Sequence, residues 1–306
     1  FQRFNVANPA ESLTRAVAEP FAPARARHVV LATETWEEME PLALGSDASN
    51  MIVDPVADRL VLFAQNAAQT RNVNHVWVRP LSDVADWSVL DVSGPYPPAF
   101  IAGSSIYDPV RKRLVVYGGA PSDGVWALSL GGTPSWTQLA AKGLGPGARQ
   151  GIVGVYDPTG DRIIVFGGAR APEDPEPSPA NDVWAFALAG DSGWTQLHPS
   201  GMPPSGRTDY AAVYDSTRQR VVYFSGNGSP GPDVWALSLG DHPAWTELQP
   251  GGDIPPPLAE AAAAYDPVHD RMVVACGVHS GFGAVDTAWV LQFGDSSVWT
   301  RILPSV

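Results

Sequence analysis

Tyr156-Asp157-Pro158-Thr159-Gly160-Asp161-Arg162-Ile163-Ile164-Val165-Phe166-Gly167-Gly168 reads as a tight turn feeding a β-strand. Asp-Pro starts a turn because the carboxylate bonds its own backbone and proline presets φ. The apolar run that follows is β-branched and aromatic, the composition of a packed strand. The closing glycines allow the chain to turn sharply. Counterparts occur at Val53-Asp54-Pro55, Tyr107-Asp108-Pro109, Tyr214-Asp215-Ser216 and Tyr265-Asp266-Pro267, with successive aspartates 54, 49, 58 and 51 residues apart. A period of this size marks a repeat array, in which each unit buries its faces against its neighbours.

Five residues after each aspartate stands an arginine: Arg59, Arg113, Arg162, Arg220 and Arg271. The spacing predicts a hairpin closed by a charge-assisted hydrogen bond between the two. Further on come Trp77, Trp126, Trp184, Trp235 and Trp289, each followed ten residues later by a second tryptophan: Trp87, Trp136, Trp194, Trp245 and Trp299. Each repeat therefore holds four short strands, a to d, separated by Gly, Pro, Asp and Ser. Strand a is rich in small residues, as in Ala261-Ala262-Ala263-Ala264, whereas c and d carry the indoles. Crowding at the axis of a ring of blades demands that gradient, and the indoles are expected to pack between sheets with their N–H groups partnered.

Tyr-Asp-Pro, Gly-Gly after strand b, Asp182-Val183-Trp184 and Trp194-Thr195-Gln196-Leu197 together resemble Kelch repeats over about residues 51–303. The resemblance implies an all-β, Kelch-like β-propeller occupying residues 1–306 as one domain. Trp36 lies 51 residues before Trp87, and His28-Val29-Val30 resembles His75-Val76-Trp77, so residues 1–50 are expected to form a divergent sixth four-stranded blade. Phe4-Asn5-Val6 and Leu13-Thr14-Arg15 match strands a and b poorly, which leaves five blades plus an N-terminal extension as the alternative.

The net charge of −13 and only two lysines oppose binding to a phosphate backbone, and no apolar run approaches the length needed to span a bilayer. Neither nucleic acid nor membrane insertion is expected. Phe1 as the first residue favours an exported protein, secreted or periplasmic, and the chain is expected to be a monomer. Cys276 is the single cysteine, so no internal disulfide or cysteine-rich zinc site exists. Galactose oxidase is Kelch-related and uses copper with a cysteine–tyrosine crosslink, but no tyrosine–histidine ligand pattern surrounds Cys276. His28, His75 and His279 belong to different repeats, and no metal or cofactor is expected.

A residue present at one position in every blade answers a scaffold need, whereas a site needs unlike groups converging once. Symmetry breaks just before strand a, where Kelch repeats often place arginine with histidine three residues later. Arg149 and Arg207 keep the arginine but are followed by Ile152 and Tyr210, and Phe100 and Leu258 occupy the equivalent arginine positions elsewhere. Arg149, Arg207, Asp209, Tyr210 and Glu260 are therefore the expected ligand contacts, at a channel mouth on the face of the b-c and d-a loops. The structural reading of the arginines is that they bond loop carbonyls. The resemblance implies a module that binds a protein, peptide, glycan or small molecule on that face. The alternatives are an enzyme with Asp209, Tyr210 or Glu260 as acid or base and arginines gripping an anion, or a structural scaffold.

Overall fold

The computed structural model describes residues 50–65, 74–81, 86–98, 103–118, 123–139, 144–170, 178–279, 281 and 283–302. These residues form five blade sheets, each with four antiparallel strands in the order a-b-c-d, and the fifth carries one further short strand. Blade I contains Asn50–Asp54, Arg59–Gln65, Asn74–Pro80 and Ser88–Val89. Blade II contains Ser104–Asp108, Arg113–Tyr117, Val125–Ser129 and Trp136–Leu139. Blade III contains Gly154–Asp157, Arg162–Phe166, Val183–Ala187 and Trp194–Leu197. Blade IV contains Ala211–Asp215, Arg220–Phe224, Val234–Ser238 and Trp245–Leu248. Blade V contains Ala262–Asp266, Arg271–Ala275, Ala288–Gln292 and Val298–Ile302. The a strands of successive blades lie side by side from I to V, so the sheets fan around a common axis as a β-propeller. His28, Trp36 and the rest of the expected sixth blade lie outside the described residues.

All five a-b hairpins are built alike, as the spacing predicts. The repeated aspartate accepts from its arginine Nε at 3.0, 2.8, 2.8, 2.9 and 2.7 Å in blades I to V. Its other oxygen accepts the backbone N–H groups two and three residues on, as with Thr159 and Gly160 at 3.0 and 3.2 Å in blade III. One side chain thus satisfies the turn backbone and anchors the returning strand, which explains why these aspartates are buried yet stable.

Strand alternation sends successive side chains to opposite faces, and each face packs on the next blade. The I–II layer joins Val61 and Phe63 to Trp126 and Trp136. The III–IV layer centres on Phe166, whose ring lies 5.8, 5.4 and 5.1 Å from those of Tyr210, Tyr223 and Trp245. Edge-on and tilted ring packing of this kind adds to the area buried. The indole N–H groups divide: Trp184 and Trp235 donate to Asp182 and Asp233 at 2.9 and 2.8 Å. Those of Trp77, Trp126, Trp136 and Trp299 are buried without a partner, contrary to the expectation from sequence.

Two further joints tie the blades together. On the a-b face, Arg111 forks onto Asp161 at 3.1 and 2.6 Å, and Arg218 onto Asp270 at 2.8 and 2.7 Å, linking II to III and IV to V. At the rim, the segment after strand d runs beside the next blade's strand d. Ser200 exchanges backbone hydrogen bonds with Pro243 and Trp245 at 2.9 Å each, and Gly251–Gly252 adds a short parallel strand to blade V.

Candidate functional site

The residues just before strand a in blades IV and V each meet the equivalent residues of the previous blade. Gly151, Asp209 and Glu260 occupy equivalent places, six residues before the hairpin aspartate, and all adopt left-handed backbone at φ 65°, 55° and 56°. The Asp209 N–H donates to the Gly151 carbonyl at 2.7 Å, and the Glu260 N–H to the Asp209 carbonyl at 2.7 Å. A backbone chain thus joins the three segments, and it brings the Asp209 and Glu260 positions into register as neighbours. Blade III carries glycine there because the Asp209 carboxylate leans over it. A Cβ on Gly151 would lie 2.7 Å from Asp209 Oδ1.

Asp209 is held in place: its Oδ2 accepts from Thr208 Oγ1 at 2.7 Å and from Asn227 Nδ2 at 3.1 Å. Glu260 is exposed. Partial burial, reinforced by the charge of Asp209, pushes the Glu260 carboxyl above its ordinary value of 4.5. The proximity of Asp209 thus helps the protonated form of Glu260.

Arg149, Arg207 and Tyr210 have other work. Arg149, only 2% exposed, forks onto Asp182, with Nη2 to Oδ2 at 2.8 Å, and also donates to the carbonyls of Pro146 and Gly167 at 2.9 and 2.8 Å. Arg207, fully buried, forks onto Asp233 at 2.8 Å through both terminal nitrogens and reaches the carbonyls of Ser205 and Ser225. Each arginine clamps its blade's incoming loop to the b-c loop that precedes strand c. The grip on an external anion expected for these two is thus replaced by an internal one, because a carboxylate already fills each guanidinium fork. Burial raises the carboxyls of Asp182 and Asp233, but the hydrogen bonds from Arg149 and Trp184, and from Arg207 and Ser229, outweigh it and hold both below 3.8.

Tyr210 is corrected in the same way. It is 1% exposed, its hydroxyl donates to the Phe166 carbonyl, and burial drives the phenol far above its ordinary range. A phenol packed between two blades neither meets a ligand nor exchanges protons near neutral pH. Of the five expected contacts, Asp209 and Glu260 are neighbours, while Arg149, Arg207 and Tyr210 are engaged by the loops and core around them.

Sequence reading missed the partners Asp182, Asp233, Thr208 and Asn227. One signal was present: the two blades with the arginine, III and IV, are those with aspartate two residues before the strand c tryptophan. Blades I, II and V carry His75, Gly124 and Thr287 there. His75 and His279 lie in blades I and V, Cys276 is buried, and among the described residues no three His, Cys, Asp or Glu side chains converge.

The profile of the KLHDC2/KLHL20/DRC7 Kelch-repeats domain matches residues 50–277, most of the chain and all but the end of the five blades. The chain belongs to this Kelch-repeat family. Among solved structures, that of YjhT is similar at a TM-score of 0.65 and 12% identity, over 88% of this chain and 88% of that one. A novel fungal alcohol oxidase with catalytic diversity among the AA5 family, in complex with copper, is similar at 0.53 and 14% identity, over 84% of this chain and 65% of that one. At such identities the likeness is one of fold.

Proposed function

We propose that this Kelch-repeat chain is a binding propeller that acts as a monomer and recognises a protein or peptide partner on its b-c/d-a face, with Asp209 and Glu260 receiving a cationic group at the mouth. Kelch propellers usually bind proteins, which supports the class. The observation that carries the site is the break in blade symmetry: two neighbouring carboxylates occupy backbone positions joined by a hydrogen bond, one braced by Thr208 and Asn227 and the other exposed. Left-handed backbone costs a non-glycine residue stability, and such strain concentrates at functional positions. The net charge of −13 reinforces attraction of a basic partner.

Titration with lysine- and arginine-bearing peptides, set against neutral analogues, tests this reading. Asp209→Asn and Glu260→Gln should each weaken the basic peptides about five- to tenfold, the worth of roughly 1 kcal/mol or slightly more. Because the Glu260 carboxyl is raised, affinity should begin to fall on acidification at a pH above that of an ordinary glutamate, and Glu260→Gln should remove this part of the pH profile. Equal binding of basic and neutral peptides by all three proteins would exclude the assignment.

The same raised carboxyl favours a second reading, an enzyme in which Glu260 is the general acid beside Asp209. The two readings separate on Glu260→Gln: an enzyme loses turnover while retaining its substrate, whereas a binding module loses affinity and has no turnover to lose.

A further inference from the structure

We propose that the peptide partner is bipartite: besides the cation taken by Asp209 and Glu260, it places bulky apolar side chains on Met202 and Ile254, at the outer ends of the same two connecting segments. The inference rests on the reading of those carboxylates as a cation site and names the rest of the ligand.

Large exposed apolar side chains recur at one place in the repeat. Tyr96, Leu144, Met202 and Ile254 stand one or two residues before a buried proline, Pro97, Pro146, Pro204 and Pro255, in the four successive d-a connections. Apolar residues scattered singly are ordinary on a surface, but four at one repeat position are not scattered. The scaffold does not need them, since Leu144 is 90% and Met202 79% exposed, which leaves them little to bury within the blades. Their shapes differ while the apolar character is kept, as suits a contact that depends on area rather than on an internal fit.

Strands a and d are opposite edges of each blade. The segment entering blade IV starts beside strand d, where Ser200 exchanges backbone hydrogen bonds with Pro243 and Trp245, and ends in strand a at Ala211. The one entering blade V starts with Gly251–Gly252 paired to Val298 and Trp299 and ends at Ala262. Met202 and Ile254 closely follow the outer contact, and Asp209 and Glu260 stand two residues before strand a, so each segment has an apolar group at one end and a carboxylate at the other. The chain between is fixed. Pro203 and Pro204, and Pro255, Pro256 and Pro257, hold φ and offer no N–H. The Arg207 and Leu258 carbonyls accept from Gly168 and Gly226 of the previous blade, and Thr208 and Ala259 exchange bonds with Asn227 and Val278 of their own. Three strand spacings, on the order of 14 Å, separate the two edges, a distance covered by about four residues of extended chain. Among the four connections, those into blades IV and V alone pair the apolar group with a carboxylate, because Ala102 and Gly151 stand at that place in the other two. The net charge of −13 and the exposed Asp253 beside Ile254 oppose an anionic lipid surface and favour a basic peptide.

Titration of the full chain with labelled glycine-serine peptides tests the proposal, the peptides carrying lysine alone, leucine alone, or both at separations of about two, four and eight residues. The peptide with lysine and leucine about four apart should bind about tenfold tighter than lysine alone, the worth of burying much of one apolar side chain. The double variant Met202→Ser with Ile254→Ser, its fold checked by near-ultraviolet circular dichroism, should erase that gain. A gain that ignores spacing, or that survives in the double variant, overturns the proposal and leaves the cation site standing. Lysine peptides that bind no better than neutral ones overturn the cation site, and this inference with it. Sedimentation supplies the remaining overturning result: a wild-type dimer that the double variant turns into a monomer would give the apolar row to a second copy of the chain.

Discussion

Asp182 and Asp233 show how one carboxylate serves three neighbours. Each takes an arginine fork and an indole N–H, and Asp182 also accepts from Arg170 at 3.1 Å while Asp233 accepts from Ser229 at 2.6 Å. A buried arginine left without its partner would be an uncompensated charge, so loss of either aspartate is costly, about 3–5 kcal/mol for such buried pairs. The sign of the pH effect follows from the depressed carboxyls. Their stabilisation is fully present above the ordinary aspartate value of 3.8 and is lost as pH falls through the lower folded values. Urea unfolding of the wild-type protein should therefore show stability declining steeply below that value. The Asp182→Asn and Asp233→Asn variants should be less stable at pH 7 and decline less steeply in acid. Variants matching the wild-type slope would deny these two carboxylates their part in it.

Among the elements, the rim joint between blades depends on a residue with no side chain. Gly201 sits at φ 84° where the loop after strand d meets the next blade, and a Cβ there would lie 2.9 Å from the Trp245 carbonyl oxygen. Gly201→Ala should cost more than about 1 kcal/mol, since it combines a left-handed backbone with a contact against main chain that has nowhere to move. Denaturant midpoints read this directly, and an unchanged midpoint would mean that the joint relaxes freely. The a-b face joint is different in kind. Arg218 and Asp270 are each about 30% exposed at the side chain, so solvent screens much of their attraction. A double-mutant cycle on Arg218→Ala and Asp270→Ala should give a coupling of only about 1 kcal/mol or less. A coupling of several kcal/mol would make this clamp a principal joint of the ring.

At the scale of the molecule, the layers between sheets matter more than any one blade, because a blade has two faces to bury and no core of its own. The described blades should consequently unfold together. Asp157→Ala in blade III and Asp215→Ala in blade IV remove equivalent hairpin anchors from different sheets. Both should shift one common transition by several kcal/mol, with tryptophan fluorescence and far-ultraviolet circular dichroism coincident. Two separated transitions in either variant would show that the blades melt independently.

What the residues determined alone is what acts over short range. The aspartate and arginine of each hairpin are five apart, directly opposite across the strand pair, so their contact follows from local geometry in every blade. The paired tryptophans and glycine turns phased the repeats for the same reason, and the break in symmetry before strand a was visible as Asp209 and Glu260. Tertiary structure decided which groups met across the blade. Arg149 and Asp182 are 33 residues apart, and only the folding of two loops over one sheet joins them. Tyr210 looked available until the neighbouring blade covered it, since adjacency to a loop says nothing about the side on which a ring is packed. Asp209 and Glu260 likewise became neighbours when the backbone of one blade bonded to the next, an encounter that depends on the pitch between sheets rather than on either residue's own neighbourhood.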